Sequence, residues 1–93
     1  MTFAPRHLAV LICRHVFEHS RPVLLVRNQE DTWSLLCGGE DHGDEDFCYV
    51  GVGHLLDRDP TLDACADLLQ DHEAERSAVG GAWTRAVILV DES

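Results

Sequence analysis

"VLLVRNQEDTWSLLCG" (residues 23–38) places two compact apolar runs on either side of a polar break, residues 28–31. Runs this short, bounded by turn-forming residues and rich in β-branched and aromatic side chains, read as neighbouring strands joined by a turn. The expected strands lie near 22–28 and 32–37. Upstream, "HLAVLICRHVF" (7–17) is a third run. Leu8, Leu11 and Ile12 would also fit a helical face. Val10, Ile12, Val16 and Phe17 favour a strand, however, and no good N-cap precedes Leu8. "EHSRP" (18–22) is a turn stopped by Pro22, so a first strand is expected near 8–14 and the three together read as an antiparallel meander.

Downstream, "FCYVGVG" (47–53) is a fourth strand candidate, weakened by Gly51 and Gly53. Asp59 is a good N-cap and Pro60 suits the first helical position. Leu62, Cys65, Ala66 and Leu69 then fall at i, i+3, i+4 and i+7, which predicts an amphipathic α-helix of about eleven residues. "HLLD" (54–57) is a candidate preceding turn of helix, "EAERSAV" (73–79) a candidate strand, and "AWTRAVILV" (82–90) a last strand or tail. The reading is one domain over residues 1–93, with its core in 8–79. Its class is α+β: an antiparallel sheet of four to five strands with one amphipathic helix packed on it. A chain of this size buries only about 60–65% of its unfolded surface, so modest stability is expected.

No apolar run approaches the roughly 18 residues of a membrane span, and the opening "MTFAPRHLAVLIC" is too short to read as a secretion signal. The expected location is the cytoplasm, where Cys13, Cys37, Cys48 and Cys65 would stay reduced. Charge is more informative. Seven Arg and no Lys stand against seventeen acids, a net −10. Residues 1–27 carry +3, residues 28–75 carry −13, and residues 76–93 balance. A field of that sign repels nucleic acid and anionic membrane and attracts cationic proteins. The absence of lysine removes Schiff-base chemistry.

The acids concentrate at Glu40, Asp41, Asp44, Glu45 and Asp46, around His42 and Gly43. They lack the order of a calcium loop. Consecutive acids on an exposed turn also lack the desolvation that would prepare one of them as a general acid. For zinc, Cys13, His15, Cys37, His42 and Cys48 are candidates, but no C-x-x-C pair brings thiolates together. Cys13 and Cys37 therefore read as small apolar residues on buried strands. Cys13 and His15, i and i+2 on one strand, would share a face without pointing at each other. No catalytic residue, cofactor or metal is expected. Arg76, with acids at 73 and 75 just before it, reads by default as half of a surface ion pair, with internal pairing as the alternative.

Three short motifs carry a family resemblance: "WSLLCGGED" (33–41), "DPTL" (59–62) and "ER" (75–76). In this order, over about residues 8–76, the chain resembles a small bacterial domain of uncharacterised function, classed by genome context with the immunity proteins of polymorphic toxin systems. That pattern opens with strand, turn and strand. A tryptophan strand then runs into Gly-any-Glu-Asp, an Asp-Pro-led helix follows, and Glu-Arg closes it. Two departures stand out: "LLQDHEAER" (68–76) lacks the usual glycine-containing turn, and "TRAVILVDES" (84–93) has no counterpart.

The resemblance implies a non-enzymatic protein that neutralises a toxin by direct binding, with Trp33, Glu40, Asp41, Asp44, Glu45 and Asp46 near the contact surface. Two rival readings are a metal- or small-molecule-binding protein using the Cys and His residues, and an assembly domain that forms a homodimer through a C-terminal edge strand.

Overall fold

The computed structural model describes residues 7–30, 32–38 and 47–88. Two of its strands, β2 (Leu25–Gln29) and β3 (Thr32–Leu36), form the expected hairpin, from Leu25 opposite Leu36 to Gln29 opposite Thr32. The favoured two-residue hairpin turns begin with a residue at positive φ, because only that hand of turn follows the twist of the strands. Glu30 supplies it, at φ +54°.

The meander does not form. β1 (Ala9–Cys13) pairs parallel with β3, through Leu11 with Ser34 and Ile12 with Leu35. On its other side β1 pairs antiparallel with β4 (Phe47–Gly51), along its whole length. The cause lies between β1 and β2. The expected strand stops at Cys13, and α1 (Arg14–Phe17), one helical turn, begins the link to Leu25. A link of that length lets β2 skip one position, and β3 folds back into the gap. β2 pairs antiparallel with β5 (His72–Glu75), which pairs antiparallel with β6 (Thr84–Val87). Among the described residues the sheet is therefore mixed and six-stranded, in the order β4-β1-β3-β2-β5-β6, larger than the four to five strands expected. The α+β class stands. β5 is shorter than the expected 73–79, and β6 covers the middle of 82–90, of which residues 89–90 lie outside the described residues.

The helical layer also differs from expectation. α2 (Val52–Arg58) occupies part of what reads as a strand, because Val52, Leu55 and Leu56 recur at i, i+3 and i+4 and all three are buried. The residues expected to form an eleven-residue α-helix instead form a 3-10 helix, Pro60–Cys65. Asp59 does act as its cap: one carboxylate oxygen accepts the Thr61 N–H at 3.1 Å. With three residues per turn, the inward positions become Leu62, Cys65 and Leu68, all buried, while Leu69 turns outward and is 67% exposed.

Pairing register fixes two sheet faces. Ile12, Leu35, Val26 and Ala74 stand side by side across four strands, each at most 1% exposed. Val16, α2 and the 3-10 helix join them in one core. On the opposite face runs the row Tyr49, Leu11, Ser34, Arg27, Glu73 and Ala86. Its members are half-buried or exposed, and Arg27 stands 3.2 Å from Glu73. One dry face and one wet face is the usual arrangement of a largely antiparallel sheet. Arg85 ties the β6 edge to the helical layer by donating to the Ala64 carbonyl and to Asp67, at 2.7 and 2.8 Å. Among the described residues, no helix is long and apolar enough to cross a membrane.

Candidate functional site

Glu40, Asp41, His42, Asp44, Glu45 and Asp46 lie outside the described residues. What the structure describes is the ground on either side of them. The described chain stops at Gly38, two residues past β3, and resumes at Phe47, the first residue of β4. Gly38 has φ +81°, a left-handed conformation natural to glycine, and it turns the chain out of β3. β4 is an edge of the sheet, and two of its side chains face solvent: Phe47, 37% exposed, and Tyr49, 62% exposed. The acid-rich segment thus runs directly into an edge strand carrying two accessible aromatic rings. Trp33 lies elsewhere. Its register, two residues from Leu35, places it on the covered side of β3, half-buried and packed against the core.

Cys13 and Cys37 are buried in the core, as their reading as small apolar residues expects, and the fold also brings them together with His15. Cys13 ends β1, His15 lies in α1, and Cys37 follows β3. Because β1 and β3 run parallel, their carboxyl ends emerge side by side, bringing Cys13 and Cys37 together. The chain turns into α1 immediately after Cys13, so His15 does not continue along the strand and comes back over the same spot. One ligating atom from each of the three lies within 4.8 Å of the other two. The Cys37 sulfur is 3.7 Å from His15 Nδ1 and 3.9 Å from an Arg21 guanidinium nitrogen that donates to it. Burial pushes the Cys13 thiol up from its ordinary value, against the backbone hydrogen bonds of Val16 and Cys37. Cys48, paired beside Ile12 on β4, and Cys65, in the 3-10 helix, stand outside this cluster. No disulfide joins any of the four cysteines, all of which are described.

Cys65 is fully buried, and desolvation pushes its thiol up to about 11 despite the nearby guanidinium groups of Arg85 and Arg76. Only the thiolate reacts with alkylating reagents. Cys65 is therefore expected to remain unmodified by iodoacetamide near pH 7.5 in the folded protein and to react once the chain is unfolded in urea. Peptide mapping by mass spectrometry reads both conditions, and labelling at native pH would contradict the assigned burial.

A third group is structural. Arg76 pairs internally and is only 4% exposed, so the surface-pair expectation fails. Its partner is Asp59 at 2.6 Å, not Glu73 or Glu75. It also donates to Thr61 Oγ1 at 2.7 Å and twice to the Val23 carbonyl, at 2.9 and 3.1 Å. Trp83 stacks on the guanidinium, 4.3 Å from ring centre to carbon. The "DPTL" and "ER" motifs thus meet in space. Their residues connect a helix start to a strand end and do no evident chemistry.

A surface cleft of about 310 Å³ lies beside this group, lined by Val16, Val23, Leu55 and Leu62 with Arg21 and Arg58. Compared with protein-family models, curated proteins and solved structures, the chain matches none of them.

Proposed function

We propose that this protein is a non-enzymatic acidic binding module that neutralises a cationic toxin by direct contact. The observation that carries the reading is the adjacency, within the −13 segment, of the acid cluster and an aromatic sheet edge: residues 40–46 are followed in sequence by Phe47 and Tyr49. Tyrosine and phenylalanine that remain accessible on a rigid strand supply buried contact area to an interface at low entropic cost. Flanking carboxylates supply orientation and on-rate toward a basic partner. Trp33, on the other side of the sheet, supports the strand that launches the acidic segment.

The test is capture from lysate of cells that carry the gene. Immobilised protein is expected to retain a basic partner at about 0.1 M salt and to release most of it near 0.5 M, as screening shortens the reach of the charges. Changing Glu40, Asp41, Asp44, Glu45 and Asp46 together to lysine abolishes retention, while circular dichroism shows an unchanged fold. Equal retention by the reversed and native proteins would sink this reading. Tyr49→Ala separates the contributions. It weakens capture with little change in salt dependence, because the ring adds contact area and no charge.

A further inference from the structure

The Cys13, His15 and Cys37 cluster belongs to no part of that binding surface, and its geometry has a specific meaning. A tetrahedral ion held at about 2.3 Å by sulfur and about 2.1 Å by nitrogen separates those two atoms by about 3.6 Å, and two sulfurs by about 3.8 Å. The Cys37 sulfur and His15 Nδ1 already stand 3.7 Å apart, and all three ligating atoms fall within 4.8 Å of one another. An ion can enter with side-chain adjustments of about an ångström and no movement of the sheet.

We propose that Cys13, His15 and Cys37 form a metal site for one zinc-class ion, bound through two thiolates and one imidazole. The chemistry selects the metal. Thiolate and imidazole ligands suit zinc and exclude calcium and magnesium, which require oxygen. Two thiolates offset the double charge of the ion, and three protein ligands leave one position for water. The donor from Arg21 to the Cys37 sulfur is the kind of surrounding hydrogen bond that orients a coordinating thiolate.

The ligands also sit on rigid supports. Cys13 ends β1 and Cys37 immediately follows β3, its parallel partner, and both are at least 95% buried, whereas His15 is half-buried on α1. The ion would cross-link β1, α1 and β3 at the point where the chain departs toward residue 40.

The experiment uses the full chain, purified under reducing conditions without chelator or polyhistidine tag. Elemental analysis is expected to find one zinc per chain after dialysis against zinc-free buffer. Cobalt substituted for zinc is expected to give a thiolate-to-metal charge-transfer band in the near ultraviolet and the intense visible bands of a tetrahedral site. His15→Ala replaces a half-exposed side chain, so the fold is retained. It weakens zinc binding at least about tenfold in a competition titration with a chromogenic chelator. Cys37→Ser removes the charge-transfer intensity of one thiolate, whereas Cys48→Ser, outside the cluster, leaves both readouts unchanged. Zinc also raises the melting temperature of the native protein and not that of His15→Ala. A folded native protein that takes up no stoichiometric zinc and gives no cobalt charge-transfer band overturns the proposal. So does a mass two hydrogens lower with Cys13 and Cys37 linked, or equal losses in Cys48→Ser and Cys37→Ser.

Discussion

Arg76→Met is expected to lower the free energy of unfolding by about 3–5 kcal/mol, the range for removing one partner of a buried charge pair. A domain of this size has a total of about 5–14 kcal/mol, so the variant stands at or near the edge of folding at 25 °C. The size of the effect comes from what is left behind. Asp59 keeps a carboxylate whose side chain is only 16% exposed, and the Val23 carbonyl loses two donors inside the protein. Thr61 loses its charged partner as well, and Trp83 loses the cation on its face. Arg76→Lys does not restore the site. One ammonium cannot reproduce a planar fork that serves a carbonyl, a carboxylate and a hydroxyl while stacking on an indole. Urea unfolding followed by tryptophan fluorescence measures both variants, and a loss below about 1 kcal/mol for Arg76→Met would show the pair to be marginal.

The same pair sets an acid limb. Burial pushes the Asp59 carboxyl up. The hydrogen bonds from Thr61 and Arg76, together with the Arg76 charge, outweigh it, and the net direction is down from 3.8. A carboxylate depressed in the folded state contributes stability above its unfolded value, and that contribution disappears as pH falls through the folded value. The native protein is therefore expected to lose stability progressively below about pH 4 through this group. Arg76→Met lacks that part of the slope, because the attraction that depresses the Asp59 carboxyl is gone.

Leu35→Ala is expected to cost about 2–5 kcal/mol, toward the upper end because the site cannot collapse. Leu35 is 0% exposed, flanked by Ile12 on one side and Val26 on the other. Both neighbours are fixed by backbone pairing, so the void left by three lost carbon atoms stays open. Val87→Ala on the β6 edge, where Val87 is 56% exposed, is expected to change stability by no more than about 0.5 kcal/mol. Parallel urea titrations with equal slopes test the contrast. Similar losses at the two positions would contradict the contrast between the buried centre of the sheet and its exposed β6 edge.

These sites differ in how far the sequence exposed them. The hairpin was legible because everything that makes it is local: two β-rich runs, a four-residue polar break, and register set by the turn. The cap at Asp59 was legible for the same reason, since its oxygen and the Thr61 N–H are two residues apart. The type of helix that followed was not. Leu62, Cys65, Ala66 and Leu69 satisfy an α-helical stripe, yet packing under the sheet selects the three-residue repeat Leu62, Cys65 and Leu68. α2 was legible over residues 54–57, read as a turn of helix; only its start at Val52 and Gly53 was hidden by glycines that read as the end of a strand.

By itself, the sequence determined the α+β class, the hairpin of residues 25–36, the cap at Asp59, and a strongly negative middle segment over residues 28–75. Each follows from neighbours along the chain or from summed charge, quantities that need no coordinates. Tertiary structure decided that β1 lies parallel to β3, that Cys13, His15 and Cys37 converge, and that Arg76 is buried against Asp59. Those contacts join residues 17 to 24 positions apart, apart from the local Cys13–His15 step. At such separations, closure depends on which strand fills the gap between β1 and β2, and that is a competition among whole-sheet arrangements that local propensity does not resolve.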